Sequence, residues 1–174
     1  MKIGISALCF WGVINYAYAE LELTNDNWKA TGQTITANAS AVETNTDKKY
    51  HSINMLAIME VGVFRFTYTE VWNHNNIKCQ IAEFTKSEKS NLLIRDTYWL
   101  VNDQKVKMLS ACHPDAPIGV SYIAKDMQNN LVLFSEFANT QIETVMIKSL
   151  DDDFELMFST RSFADALAQI YKQN

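Results

Sequence analysis

The feature that most constrains the fold of this chain is a period of two. Phe64, Phe66, Tyr68 and Trp72 share one parity while Arg65, Thr67 and Thr69 fill the other, and side chains spaced by two share a face of a β-strand, not of a helix. The theme continues in Leu92, Ile94, Tyr98 and Leu100, after which Asn102-Asp103 leads into Val106 and Met108. Asn and Asp tolerate the left-handed backbone of a two-residue turn, so this pair predicts a β-hairpin. Further short apolar runs follow at Val120–Ala124, Leu131–Phe137, Ile142–Ile147 and Phe154–Phe158, separated by Asn129-Asn130, Ala138-Asn139 and Asp151 to Asp153. Strands at about ten-residue spacing predict a mainly β fold, an antiparallel β-sandwich or meander.

Trp28 to Thr46 is rich in Thr, Ala, Asn and Ser, with Ile35 and Val42 its only large aliphatics, and this weak pattern reads as one or two edge strands. Ser52 to Val61 fits a helix through Ile53, Leu56, Ala57 and Glu60 and a strand through Leu56 and Ile58; a short apolar run does not decide between them. The last element is a C-terminal α-helix. Ser162 with Asp165 three residues on makes a capping box, and Phe163, Ala166, Leu167, Ile170 and Tyr171 form one apolar stripe, which predicts a helix packed on a sheet face or closing an open end.

The first 19 residues read as an export address. Lys2, an apolar run from Ile3 to Ile14 and the small-residue ending Ala17-Tyr18-Ala19 match a cleavable signal peptide, and the run is well short of the roughly 20 residues that cross a bilayer. Cleavage after Ala19 leaves residues 20–174 as a single exported domain, in the periplasm or secreted, with no later segment apolar enough to span. Two cysteines then remain, Cys79 and Cys112, and in an oxidising compartment such a pair predicts a disulfide worth about 3–4 kcal/mol. Loss of Lys2 moves the net charge from −5 to −6, which argues against nucleic acid and anionic membrane as partners, since both reward clustered Lys and Arg.

No residue pattern points to catalysis, a metal or a cofactor. His51, His74 and His113 are the only imidazoles, and they are scattered instead of standing at ligand spacing. Cys112-His113 are adjacent, but sequence neighbours on a strand point apart. Asp151 to Asp153 lack the glycine and terminal glutamate of a calcium loop and read as a solvated turn.

Ser159-Thr160-Arg161-Ser162-Phe163-Ala164-Asp165-Ala166-Leu167 resembles the closing Ser-Leu-Lys-Gly-Phe-x-x-Ala-Leu of the invasion-associated locus B family, with Ser162 where the family has Gly. Pro117-Ile118-Gly119-Val120 is similar to that family's Pro-Leu-Gly-Val. The resemblance covers the C-terminal third and implies an exported bacterial protein with a small β-rich domain and no enzymatic activity.

The expected function is therefore that of a non-catalytic accessory or interaction protein, with another protein of the envelope or cell exterior as its partner. The alternative is an acidic periplasmic inhibitor or immunity protein that blocks a basic enzyme, its charge accelerating the encounter. An inhibitor should present a protruding loop, and the candidate is the stretch Val71 to Lys78, where Trp72 anchors beside the polar run Asn73 to Asn76 that contains His74 and Asn75.

Overall fold

The computed structural model describes residues 20–44, 50–72, 75–76, 84–88, 90–115, 119–152 and 154–172; residues 1–19, where the sequence predicts an export leader, His74 and Cys79 lie outside them. Among the described residues the fold is mainly antiparallel β. The strands are β1 (Glu20–Asn25), β2 (Lys29–Thr31), β3 (Thr34–Thr44), β4 (Tyr50–Glu60), β5 (Val63–Trp72), β6 (Asn75–Asn76), β7 (Thr85–Lys86), β8 (Leu93–Val101), β9 (Gln104–Cys112), β10 (Val120–Ala124), β11 (Thr144–Ser149) and β12 (Glu155–Ser159). They form one 12-stranded sheet in the order β1-β3-β4-β5-β10-β9-β8-β11-β12, with β2, β6 and β7 extending β3, β5 and β8. Helix α1 (Met127–Phe137) joins β10 to β11, and α2 (Phe163–Lys172) follows β12.

The sheet rolls until its ends nearly meet. Trp28 fastens them: its indole N–H donates to the Ser159 carbonyl at 2.8 Å and its backbone N–H to the Arg161 carbonyl at 3.2 Å. The interior is filled by unequal halves. On β3 and β4 four of the inward residues are small, Ala37, Ala39, Ala41 and Ala57, beside the larger Ile35, Met55 and Met59, while Phe66, Trp99, Tyr122 and Phe158 enter from other strands, each at most 1% exposed. Ala57 is registered with Phe66, small beside large, which is how a narrow barrel fills its bore. The alanine-rich stretch is thus no edge. β3 is an inner strand paired on both sides, and its alanines are core because facing rings occupy the space that larger side chains would need. Its edge cover is β1 and β2.

The ambiguous Ser52 to Val61 segment belongs to strand β4 as far as Glu60, with Met55, Ala57 and Met59 buried and Leu56 outside. Pairing with strands on both sides settles what a short apolar run could not. The hairpin turn stands where expected, Asn102 and Asp103 having φ of 44° and 69°. On β8 the buried parity is Thr97, Trp99 and Val101, opposite to the Leu92, Ile94, Tyr98 and Leu100 series; both parities are apolar there, so alternation alone did not orient the strand.

Leu131 to Phe137 is not a strand but the body of α1. Asp126 sits extended at φ −152° and its carboxylate accepts from the Asn129 backbone N–H, a cap that starts a helix and holds the Asp126 carboxyl below its usual range. Buried Asn130, Leu133 and Phe137 then follow helical spacing, leaving Leu131 57% exposed. Asn130 is buried because its amide completes the β4–β5 turn, accepting from Phe64 N–H at 3.0 Å and donating to the Gly62 carbonyl at 2.8 Å.

Helix α2 closes the same end of the barrel. Phe163 and Ala166 are buried, Leu167 and Ile170 pack against the core, and Tyr171 stays exposed. Its start departs from a capping box, since Ser162 has φ +65° where an N-cap residue is extended. The left-handed backbone favours glycine. Ser162→Gly should therefore stabilise the protein by about 1 kcal/mol, read as a higher urea midpoint; an unchanged or lower midpoint would show that the strain is already relieved.

Candidate functional site

Two places on the barrel collect groups capable of recognition. At the end away from the helices, the inward parity of β8 places Arg95 above Thr97 and Trp99, while Tyr122 arrives from β10 and Ser149 from β11. The β11–β12 connection lays Asp151 and Asp152 over them. Asp152 pairs with Arg95, both side chains being about one-fifth exposed, and its second oxygen accepts from the Tyr122 hydroxyl at 3.1 Å and the Ser149 hydroxyl at 3.4 Å. Asp151 accepts from the Thr97 hydroxyl and the Tyr98 backbone N–H, each at 2.8 Å. The Phe84 ring covers the guanidinium at 5.1 Å. Burial, followed by the neighbouring Asp152 carboxylate, pushes the Tyr122 hydroxyl far up, so it stays a donor.

These acids are not a solvated turn; they bolt the connection onto β8. The sequence carried one signal of this, an arginine on the same parity as Thr97, Trp99 and Val101, because a charge entering a core needs a partner. With both Asp152 oxygens engaged, the arrangement is that of a clamp. Beside it the Tyr68 hydroxyl donates to Glu70 at 3.0 Å. Gly119, φ +83°, passes so close to β5 that a Cβ would meet the Tyr68 carbonyl oxygen at 2.8 Å, which gives the glycine of the Pro-Ile-Gly-Val motif a packing reason.

At the helix-capped end lies a groove of about 280 Å³ between the β4–β5 turn and α2, walled by Met59, Val61, Leu167, Ile170 and Tyr171 with Gln33 at its margin. Val61 is 85% exposed and Tyr171 72%, with Met127 (65%) and Leu131 (57%) exposed on α1, whose Asn130 binds the turn. Val61 also holds φ +50°, an outlier for a β-branched residue. A Val-Gly pair at a tight turn was the available sequence signal.

Of the candidate residues read from sequence, the strand pairing brings Trp72 and Asn75 side by side. Trp72 ends β5, registered with His51 and with Asn75 of β6; His74 lies outside the described residues. His113 is exposed after β9, its Nδ1 accepting from the Asp115 backbone N–H at 3.2 Å. Cys112 ends β9 wholly buried, and Cys79 lies outside the described residues. Among the described residues no three His, Cys, Asp or Glu side chains gather as a metal site, and no helix is long and apolar enough to cross a membrane. Comparison with models of known protein families, with characterised proteins and with solved structures finds no match to this chain.

Proposed function

We propose that the protein is exported, to the periplasm or beyond, and acts there by binding another protein through the helix-capped end of its barrel, not by catalysis. The observation that carries this reading is the apolar groove whose walls include the exposed Val61 and Tyr171, at the end of the barrel where α1 also exposes Met127 and Leu131. A groove walled by exposed apolar side chains is costly in water and marks an interaction site. Among the described residues the bore is packed with the rings of Phe66, Trp99, Tyr122 and Phe158, which directs recognition to the outer surface. The export leader, a Cys79–Cys112 disulfide and the invasion-associated locus B resemblance belong to the same reading.

A photo-crosslinking residue placed at Val61 should capture a partner protein in the producing cell, whereas one at the exposed Thr85, on the far side of the barrel, should not. Val61→Asp with Tyr171→Asp should reduce capture from a second reporter position, Leu131, by about tenfold or more, as expected when apolar anchors are lost. Equal capture at Val61 and Thr85 would sink the assignment. Intact mass of the same preparation should show an N-terminus at Glu20 and no free thiol.

A further inference from the structure

Val61 is both a wall of the groove and a projection beside it. It stands 85% exposed at the β4–β5 turn, and its left-handed backbone at φ +50° strains a β-branched residue, whereas Gly62 takes φ +77° freely. A tight turn of this kind favours Asn or Gly at that position; the strained valine instead presents an apolar side chain to water, and strain of this sort collects at recognition sites. The projection is also held in place. The Asn130 amide accepts from the Phe64 N–H at 3.0 Å and donates to the Gly62 carbonyl at 2.8 Å, so little ordering remains to be done on contact. The adjoining hollow of about 280 Å³ falls just below the span of small-molecule sites and suits protein side chains. The only charged residues adjacent in sequence to its lining are Glu60, on the turn wall, and Lys172, on the α2 wall, both exposed. Neither forms an ion pair with another described residue.

We infer that the partner of the helix-capped end is a second copy of this chain, the two ends meeting about a two-fold axis. The inference rests on that end being the binding surface and names what binds there. A projection beside a hollow is self-complementary. In a two-fold contact each copy gives what it receives, so Val61 of one copy enters the groove of the other while its own groove is filled in return. The axis also exchanges the walls: the β4–β5 turn of one copy meets α2 of the other, which sets Glu60 against Lys172 twice, anion on cation. A foreign partner would have to supply a matching hollow, projection and pair of charges of its own, all of which this chain already carries on one patch. The negative net charge of each copy opposes the encounter only at range, where salt screens it beyond roughly 10 Å.

Sedimentation of the purified protein over a range of concentrations should show a monomer–dimer equilibrium that closes at two chains. A photo-crosslinking residue at Val61 should then give an adduct of twice the chain mass with no other protein present. Glu60→Lys and Lys172→Glu should each weaken the dimer about tenfold, because either reversal turns two attractive pairs into two repulsive ones. Mixed in equal amounts, these two variants should associate with each other as the wild type does with itself, since each supplies the charge that the other lacks. Val61→Gly, which suits the left-handed backbone, should weaken the dimer by about tenfold or more without lowering the urea midpoint, so that the loss is not one of folding. A monomer at every concentration, an open-ended series of larger oligomers, or charge variants that fail to complement on mixing would each overturn the two-fold pairing. Capture of a different protein at Val61 in the producing cell would, beside such a result, leave the binding end standing and replace only its occupant; no capture there would remove both.

Discussion

Replacing Phe163 with Ala should cost about 3–5 kcal/mol of stability, the range for deleting a fully buried ring. Phe163 is 1% exposed and touches four aromatic rings, with centroids at 5.1 Å from Trp28, 5.8 Å from Phe134, 6.0 Å from Phe137 and 6.1 Å from Phe64. Those rings belong to β5, α1 and the Trp28 bridge, so the side chain joins both helices to the seam where the sheet nearly closes. Its loss leaves a cavity that none of the four can fill without breaking its other contacts. Urea denaturation reads the effect, with Tyr171→Ala on the exposed side of the same helix expected within about 0.5 kcal/mol of wild type. A chain ending at Arg161 that kept its melting midpoint would show α2 to be a free arm and end this account of the closed end.

Asp152→Ala should cost about 2–4 kcal/mol, because it leaves the mostly buried Arg95 guanidinium without its counter-charge and the Tyr122 hydroxyl without its acceptor. Arg95→Leu combined with Asp152→Leu should cost less than the single change, since no uncompensated charge remains. If the double variant were as unstable as the sum of the two single ones, the pair would not act as a clamp, and the Asp151 contacts to Thr97 and Tyr98 would be holding the loop alone.

The extent to which the sequence revealed this architecture follows from the range of the forces involved. Phe64 and Phe66 alternate with polar residues, Asn102-Asp103 suits a left-handed turn, and Phe163, Ala166, Leu167 and Ile170 repeat at helical spacing; each pattern reports a local backbone preference and a single wetted side, and each is legible in a few residues. Local preference ran out where both parities are apolar, as on β8, and where a run is too short to show its period, as in Leu131 to Phe137. There, α1 formed because Asp126 caps it and Asn130 has a turn to complete on another hairpin, a partner 66 residues away in the chain.

The sites were less legible still. Nothing near Asp151 and Asp152 announces Arg95, which is brought opposite them only by the pairing of β11 with β8. By itself the sequence determined the β class, the main hairpin and the closing helix, because hydrophobic periodicity and turn chemistry are read over one element. Only the tertiary structure decided that the alanines of β3 are core, that two acids serve as a clamp, and that Val61 and Tyr171 line one groove, because burial is a property of what lies across the sheet.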